Sequence, residues 1–318
     1  MPACRTRLAP SPTGALHLGN IRTFLVNWVL ARQRGWEVVL RVEDLDGPRF
    51  KEGAAEAMVE TLAWLGLDWD EGPYYQRSDL TAYREATAWL AERRLVYPCR
   101  CTRKEIEAAS LSAPHGDQHE LCYPGTCRPA NEASIDTELL GAEGVAWRVQ
   151  VPTGVNGFED EFAGEQQFDV AQTVGDFLVG TKLGLPSYQL AVVVDDARQR
   201  IDQVVRGDDL LSSTPRQMLL YELLELGQPP TYTHLPLVLG EDGRRLAKRH
   251  GDTRVAYYRE QGVAAERVLG LLGEWCGLSG REPRSIGDFV RDFSIDGLSH
   301  EPVVFCGEDD AWLRGGRD

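Results

Sequence analysis

The sequence predicts an α/β protein built on an open parallel sheet, with a broken stretch set between the two halves of that sheet. Three observations point there. Strand-like and helix-like segments alternate through residues 6–94, an order that implies parallel strands joined by crossover helices. Glu37–Val42 is a near-continuous apolar run, as a strand covered on both faces requires. Parallel character then returns near residue 189, after a long interval without that pattern. A chain of 318 residues, 42% hydrophobic and 26% charged, can bury one large core and carry a further subdomain.

In order, residues 6–9 read as a first strand, ended by Pro10-Ser11-Pro12-Thr13-Gly14, where prolines and glycine can neither extend a ladder nor fill a helix interior. Residues 19–34 carry Ile21, Phe24, Leu25, Trp28 and Val29 at helical spacing and stop at Gly35. The strand 37–42 follows, then helices over 54–65 and 80–94. From Cys99 to about Gly184 the chain holds cysteines, prolines, an Ala/Glu-rich stretch at 130–144 and a strand-like piece at 145–151, and looks poor in core. Residues 189–194 and 204–208 read as further parallel strands. A helix starts near Ser213 or Thr214, with Pro215 in its first turn, and runs to Leu226. Residues 235–239 read as the last strand, 240–251 as a polar loop and 252–318 as a helical tail, with periodicity clearest at 263–272. The expected division is therefore 1–98, 99–186, 187–251 and 252–318.

The formal charge is −15, from 34 basic and 49 acidic residues, which argues against a general nucleic-acid coat but leaves room for a local basic face. No apolar run reaches signal-peptide length or the ~20 residues of a membrane span, so the expected location is the cytoplasm, without membrane contact. Four of the seven cysteines, Cys99, Cys101, Cys122 and Cys127, fall within 29 residues, which reads as metal before disulfide. The spacing suits a tetrahedral structural Zn²⁺ site, with Cys122, His115 or His119 able to complete it.

Two further constellations carry chemistry. Ser11-Pro-Thr-Gly14 and His17-Leu-Gly19-Asn20 form a strand–loop–helix junction whose backbone N–H groups can face an anion, with Gly14 and Gly19 allowing close approach. His17 can donate to phosphate oxygens, or serve only as a helix cap. Over two hundred residues later, Arg244 to Asp252 is a basic loop in which Lys248 could reach a triphosphate, or merely be solvated.

Joined, these pieces resemble the class I aminoacyl-tRNA synthetases, specifically their glutamyl branch. His17-Leu-Gly-Asn20 resembles the family's HIGH element, with Asn20 in place of the second histidine. Arg245-Leu246-Ala247-Lys248-Arg249 resembles KMSKS, with Ala247 in place of serine. Arg7-Leu8-Ala9-Pro10-Ser11 resembles the opening RFAPSPTG, Arg41–Asp46 resembles RIEDTD, and 205–217 resembles RGEDH…NTPRQ. The likeness runs over residues 5–260 with the elements in order.

The resemblance implies a class I synthetase-type Rossmann catalytic domain, a zinc-bearing insertion and a small C-terminal helical region. It implies that Arg7, Leu8, Ala9, Pro10, Ser11, Glu43, Tyr188 and Arg206 bind L-glutamate, the forked arginines suiting its carboxylates and Glu43 its ammonium. Each has a plainer alternative, such as Glu43 pairing with Arg41 or Arg49. It further implies ATP with Mg²⁺ at Gly14, His17, Gly19, Asn20 and Lys248, with His17 and Lys248 as the catalytic pair. The zinc ligands become Cys99, Cys101, Tyr123 and Cys127. The residues after Asp252 look too few for an anticodon reader, which favours the short members of the branch that attach glutamate to the queuosine base at the wobble position of tRNA(Asp). Expected partners are then ATP, L-glutamate and queuosine-bearing tRNA(Asp), acting on a monomer. Charging of the 3′ end of tRNA(Glu), a non-catalytic synthetase-like module and an unrelated nucleotidyltransferase are the alternatives.

Overall fold

The computed structural model describes residues 3–12, 15–45, 53–111, 122–130, 135–246 and 250–315. It opens with β1 (Arg5–Leu8), α1 (Leu18–Arg34), β2 (Glu37–Val42), α2 (Ala54–Trp64) and β3 (Glu71–Tyr75). The three strands form a parallel sheet in the order β1-β2-β3, with Thr6 opposite Val38 and Val42 opposite Tyr75. Residues Val38 to Val42 are all buried, which is why the run lacks alternation. Helix α1 ends at Gly35, whose φ of 69° lets its N–H turn back to the Ala31 carbonyl.

Next come α3 (Thr81–Glu92), β4 (Val96–Cys99), α4 (Arg103–Leu111), β5 (Ala146–Val149), β6 (Asn156–Asp160), β7 (Gly164–Phe168), α5 (Val170–Thr173) and β8 (Leu178–Gly180). Strands β4, β5 and β8 make an antiparallel sheet, and β6 and β7 a hairpin. This stretch is better cored than its sequence suggests. Trp147, Val149 and Val179 are buried in one cluster with Leu90 before it and Leu190, Val193 and Leu220 after it.

The remainder is α6 (Tyr188–Arg198), β9 (Gln203–Gly207), a 3₁₀ turn at Asp208–Ser213, α7 (Thr214–Leu223), β10 (Thr231–Leu235), β11 (Val238–Gly240), α8 (Val255–Glu260), α9 (Ala265–Trp275), α10 (Ile286–Asp292), β12 (Val303–Phe305) and α11 (Gly307–Leu313). Strand β10 pairs in parallel with β9, and β12 in parallel with β11. β9 runs beside β1, where the Asp202 N–H donates to the Arg5 carbonyl at 3.1 Å and the Arg5 N–H to Asp202 Oδ1 at 2.8 Å. The tail helices share the main core: Leu271, Phe289 and Leu313 are buried with Ile21, Leu25 and Leu40.

Two expectations are corrected. Residues 189–194 are helix, not strand. Ser187 caps α6 by accepting the Leu190 N–H, and Gln189 to Asp196 are buried on every side. A helix buried all round loses its amphipathic period, so its apolar run imitates a covered strand. Residues 235–239 are not one strand either. Pro236 has no N–H to offer a ladder, so β10 closes at Leu235 and β11 starts three residues later, at Val238.

Candidate active site

The strands deliver their functional residues to one place. A cleft of about 470 Å³ opens where β1, β2 and β9 end, as expected for ligands of open parallel sheets. Arg7, Ala9, Pro10 and Ser11 line it from β1 and its exit, Glu43 from the end of β2, Arg206 and Gly207 from β9, and Tyr188 from the start of α6. His17, Gly19 and Asn20 line it from the α1 end, with Arg245 from the distant basic loop. Leu8 does not reach the cleft. Alternation along β1 turns its side chain into the core, where it is fully buried. Leu246 is likewise a core residue. Gly14, Ala247, Lys248 and Arg249 lie outside the described residues.

His17 has both roles that its sequence context allowed. Its Nδ1 accepts the Asn20 N–H at 3.4 Å, capping α1, while the ring also lines the cleft. Burial, and then the Arg245 guanidinium, push its pKa down to about 4. A neutral imidazole that accepts at Nδ1 carries its proton on Nε2, so His17 presents a fixed donor. The tail braces this junction: Leu18 N–H donates to the Thr253 carbonyl at 3.1 Å and Val255 N–H to the Leu16 carbonyl at 3.0 Å. The residues flanking 247–249 on both sides therefore reach His17. Gly19 packs closely, since a Cβ there would sit 3.3 Å from both the His17 ring and Val238 and press on each by a few tenths of an ångström.

Two arginines, each only 4% exposed, bring positive charge into the cleft wall. Arg7 Nε lies 3.5 Å from Asp196, which also takes a 2.8 Å bond from Arg41. Glu43 sits 3.3 Å from Arg41, so its plainer role as an ion-pair partner is real; burial nevertheless holds its carboxyl above the usual range against the pull of Arg41 and Arg7. Arg206 has no carboxylate in contact among the described residues. Its Nε donates to His234 Nε2 at 2.9 Å, Nη1 to Gln217 at 2.8 Å, and Nη2 to Thr214 Oγ1 at 2.8 Å and the Leu210 carbonyl at 3.4 Å. The fork expected to meet a carboxylate is thus mostly engaged by the protein. Neither His234 nor its partner Asp160 was marked in the sequence, because nothing local to either one indicates the contact.

The cysteine cluster joins the end of β4 to the segment 122–130, beyond α4. The Sγ atoms of Cys99, Cys101 and Cys127 all lie within 4.8 Å of one another. The Tyr123 hydroxyl is 3.5 Å from Cys99 and 3.7 Å from Cys101, and Cys101 is 3.4 Å from Cys127. A tetrahedron with bonds of about 2.3 Å has edges of about 3.8 Å, so three sulfurs and a phenol oxygen at these spacings fit Zn²⁺. The Cys127 N–H donates to the Tyr123 oxygen at 2.8 Å, and Arg148 Nε donates to Cys99 at 3.4 Å, both favouring anionic ligands. Burial raises the Cys127 thiol, but hydrogen bonds from the Arg100 backbone, Tyr123 and the other two thiols outweigh it and bring it down to about 7. Cys122 points elsewhere, its Sγ 3.4 Å from the Gln172 carbonyl. His115 and His119 lie outside the described residues.

Comparison with known proteins identifies the family. The tRNA synthetases class I (E and Q) catalytic-domain family matches residues 3–299. The chain is 43% identical to the glutamyl-Q tRNA(Asp) synthetase of Symbiobacterium thermophilum, over 98% of each chain. It is 43% identical to that of Nitratidesulfovibrio vulgaris, over 94% of this chain and 95% of the relative. Glutamate--tRNA ligase 1 of Caldanaerobacter subterraneus is 38% identical over 99% of this chain, but only 66% of its own length is covered. A crystal structure of a glutamate tRNA ligase from Elizabethkingia meningosepticum, in complex with its amino acid, superposes with a TM-score of 0.80 at 27% identity, covering 98% of this chain and 68% of that one. The chain is a ligase of the aminoacyl-tRNA synthetase type and belongs to the class I tRNA synthetases for glutamate and glutamine.

Proposed function

We propose that the enzyme activates L-glutamate with ATP and transfers the glutamyl group to the queuosine base at the wobble position of tRNA(Asp). The observation that carries the first half is the pair of buried guanidiniums, Arg7 and Arg206, facing Glu43 across one cleft. Arg206 is a cation buried without a carboxylate in contact among the described residues, which is costly, and a ligand carboxylate offsets that cost. Arg206 takes the side-chain carboxylate of glutamate, Glu43 its ammonium, and Ser11 and Tyr188, the latter 40% exposed on the cleft, supply hydroxyls. Replacing that carboxylate by an amide forfeits ~1.5–3 kcal/mol, roughly 10- to 150-fold against glutamine.

ATP, entering with Mg²⁺, lies along the His17 side. A glutamate α-carboxylate oxygen attacks the α-phosphorus and pyrophosphate leaves. The Nε2–H of His17 and the N–H groups opening α1 hold the phosphate oxygens as charge builds. Lys248, in the stretch Arg245–Arg249 that resembles KMSKS, joins them in this reading. A queuosine hydroxyl then attacks the carbonyl of the adenylate and AMP leaves. The choice of acceptor rests on the glutamyl-Q tRNA(Asp) synthetases, similar to this chain over almost their whole length.

Residues 99–186 act as a connective insertion between catalytic halves 1–98 and 187–251, and 252–318 as a helical subdomain. Cys99, Cys101, Tyr123 and Cys127 hold one Zn²⁺, which when bound ties α4 and β4 to the loop at 122–130. The enzyme works in the cytoplasm as a monomer. The test is ATP–pyrophosphate exchange with each amino acid in the absence of tRNA, followed by transfer of labelled glutamate to tRNA(Asp) from queuosine-containing and queuosine-deficient cells. Glutamate-dependent exchange with transfer lost on the deficient tRNA supports the reading. Transfer to tRNA(Glu) instead overturns the acceptor assignment.

A further inference from the structure

The hairpin of β6 and β7 belongs to the middle stretch, yet it docks against β10, with the Glu161 N–H donating to the Tyr232 carbonyl at 2.9 Å. This places the Asp160 side chain, fully buried, 2.5 Å from His234 Nδ1, and the opposite ring nitrogen of His234 holds Arg206. Asp160 Oδ1 is already fixed by three backbone N–H groups: Phe162 at 3.1 Å, Ala163 at 2.8 Å and His234 at 3.1 Å. Only Oδ2 is left for the ring.

The protonation pattern follows from these contacts. An arginine Nε–H can only donate, so His234 Nε2 must accept, and the single proton of a neutral ring sits on Nδ1 and goes to Asp160. Burial, reinforced by Arg206, keeps His234 neutral despite Asp160. The carboxylate charge of Asp160 is thereby linked through the ring to the guanidinium charge of Arg206, without a carboxylate entering the cleft.

We infer that Asp160 and His234 are positioning residues that orient Arg206 for the substrate carboxylate, so that a residue of the middle stretch controls amino-acid recognition. The inference rests on the assignment of Arg206 to glutamate. Its logic is tautomeric. In Asp160→Asn the amide oxygen stays on the three backbone N–H groups, so the amide NH₂ faces His234 Nδ1. The ring must then accept there and protonate Nε2, setting donor against donor at Arg206.

Pyrophosphate exchange on the full chain tests this with four variants. Asp160→Asn raises the glutamate KM on the order of 10- to 100-fold, while the ATP KM and the melting temperature stay near those of the parent. His234→Gln, which keeps an acceptor near the Nε2 position, retains glutamate binding within about 5-fold, whereas His234→Leu loses it as Asp160→Asn does. Equal effects of Gln and Leu at 234, or an unchanged glutamate KM in Asp160→Asn, overturn the inference. If Asp160→Asn does not fold, the His234 pair decides alone. Arg206→Ala separates the two levels: exchange unaffected there sinks the glutamate assignment itself, whereas loss there combined with a silent Asp160→Asn sinks only the positioning role.

Discussion

The cleft and the cysteine cluster both gather ionisable side chains away from water, but they balance charge in opposite ways. In the cleft wall Arg206 is already held by protein acceptors, His234, Gln217, Thr214 and Leu210, and beside Glu43 the buried Arg41 is held by Asp196, Gln199 and Glu43. The ligand completes a wall that is organised without it. In the cluster three thiols and a phenol face one another, with the Cys127 N–H and Arg148 as donors from outside. Such a set coheres only around a cation. The cleft is preorganised, the cluster depends on its ion, and perturbations should divide along that line.

The largest expected effect is Arg206→Ala, lowering kcat/KM for glutamate in exchange by about 10²–10³-fold through loss of a buried charge-assisted contact, with unchanged metal content. Cys101→Ser should do the reverse. Metal analysis should find the zinc lost and melting lowered by at least about 5 °C, with glutamate KM moved less than about 3-fold. A glutamate KM that rises with zinc loss would mean that the two regions are not independent. Cys122→Ser should keep its metal, because that thiol faces Gln172; a zinc-free Cys122→Ser beside a loaded Tyr123→Phe would reverse the ligand assignment. Gly19→Ala should reduce exchange by about 10-fold by pressing on the His17 ring, at little cost in stability.

The smallest effect is on pH. His17 has a native pKa of about 4, below its unfolded value, so the unfolded chain takes up the proton first and stability falls as pH drops from about 6.5 towards 4. His17→Gln should flatten that part of a melting-temperature profile. Exchange by the parent should show no ionisation of this imidazole between pH 6 and 8. A step of one proton in that window that vanishes in His17→Gln would contradict the neutral-donor role.

Much of the site was legible in the sequence because its signals are local. Pro10 and the Gly35 stop act through the backbone of their own neighbourhood, and α1 and β2 lie where their residues indicate. Cys99 and Cys101 were visible by spacing alone. What failed locally also has a local reason: the apolar run at 189–194 is compatible with a covered strand until Ser187 caps it as a helix, and Pro236 divides a strand that composition would continue.

The sequence by itself determined the strand–loop–helix junction, the residues bearing charge and the thiols available, since these depend on residue type and short spacing. Only the tertiary structure decided which groups meet. It turned Leu8 away from the cleft, set Tyr123 rather than Cys122 beside the thiols, and brought Asp160 through His234 to Arg206 across separations of 74 and 28 residues. The physical reason is that a hydrogen bond between side chains has no signature in either partner's neighbourhood. It exists only once the core has folded and the cost of burying each group has to be met by whichever partner the packing supplies.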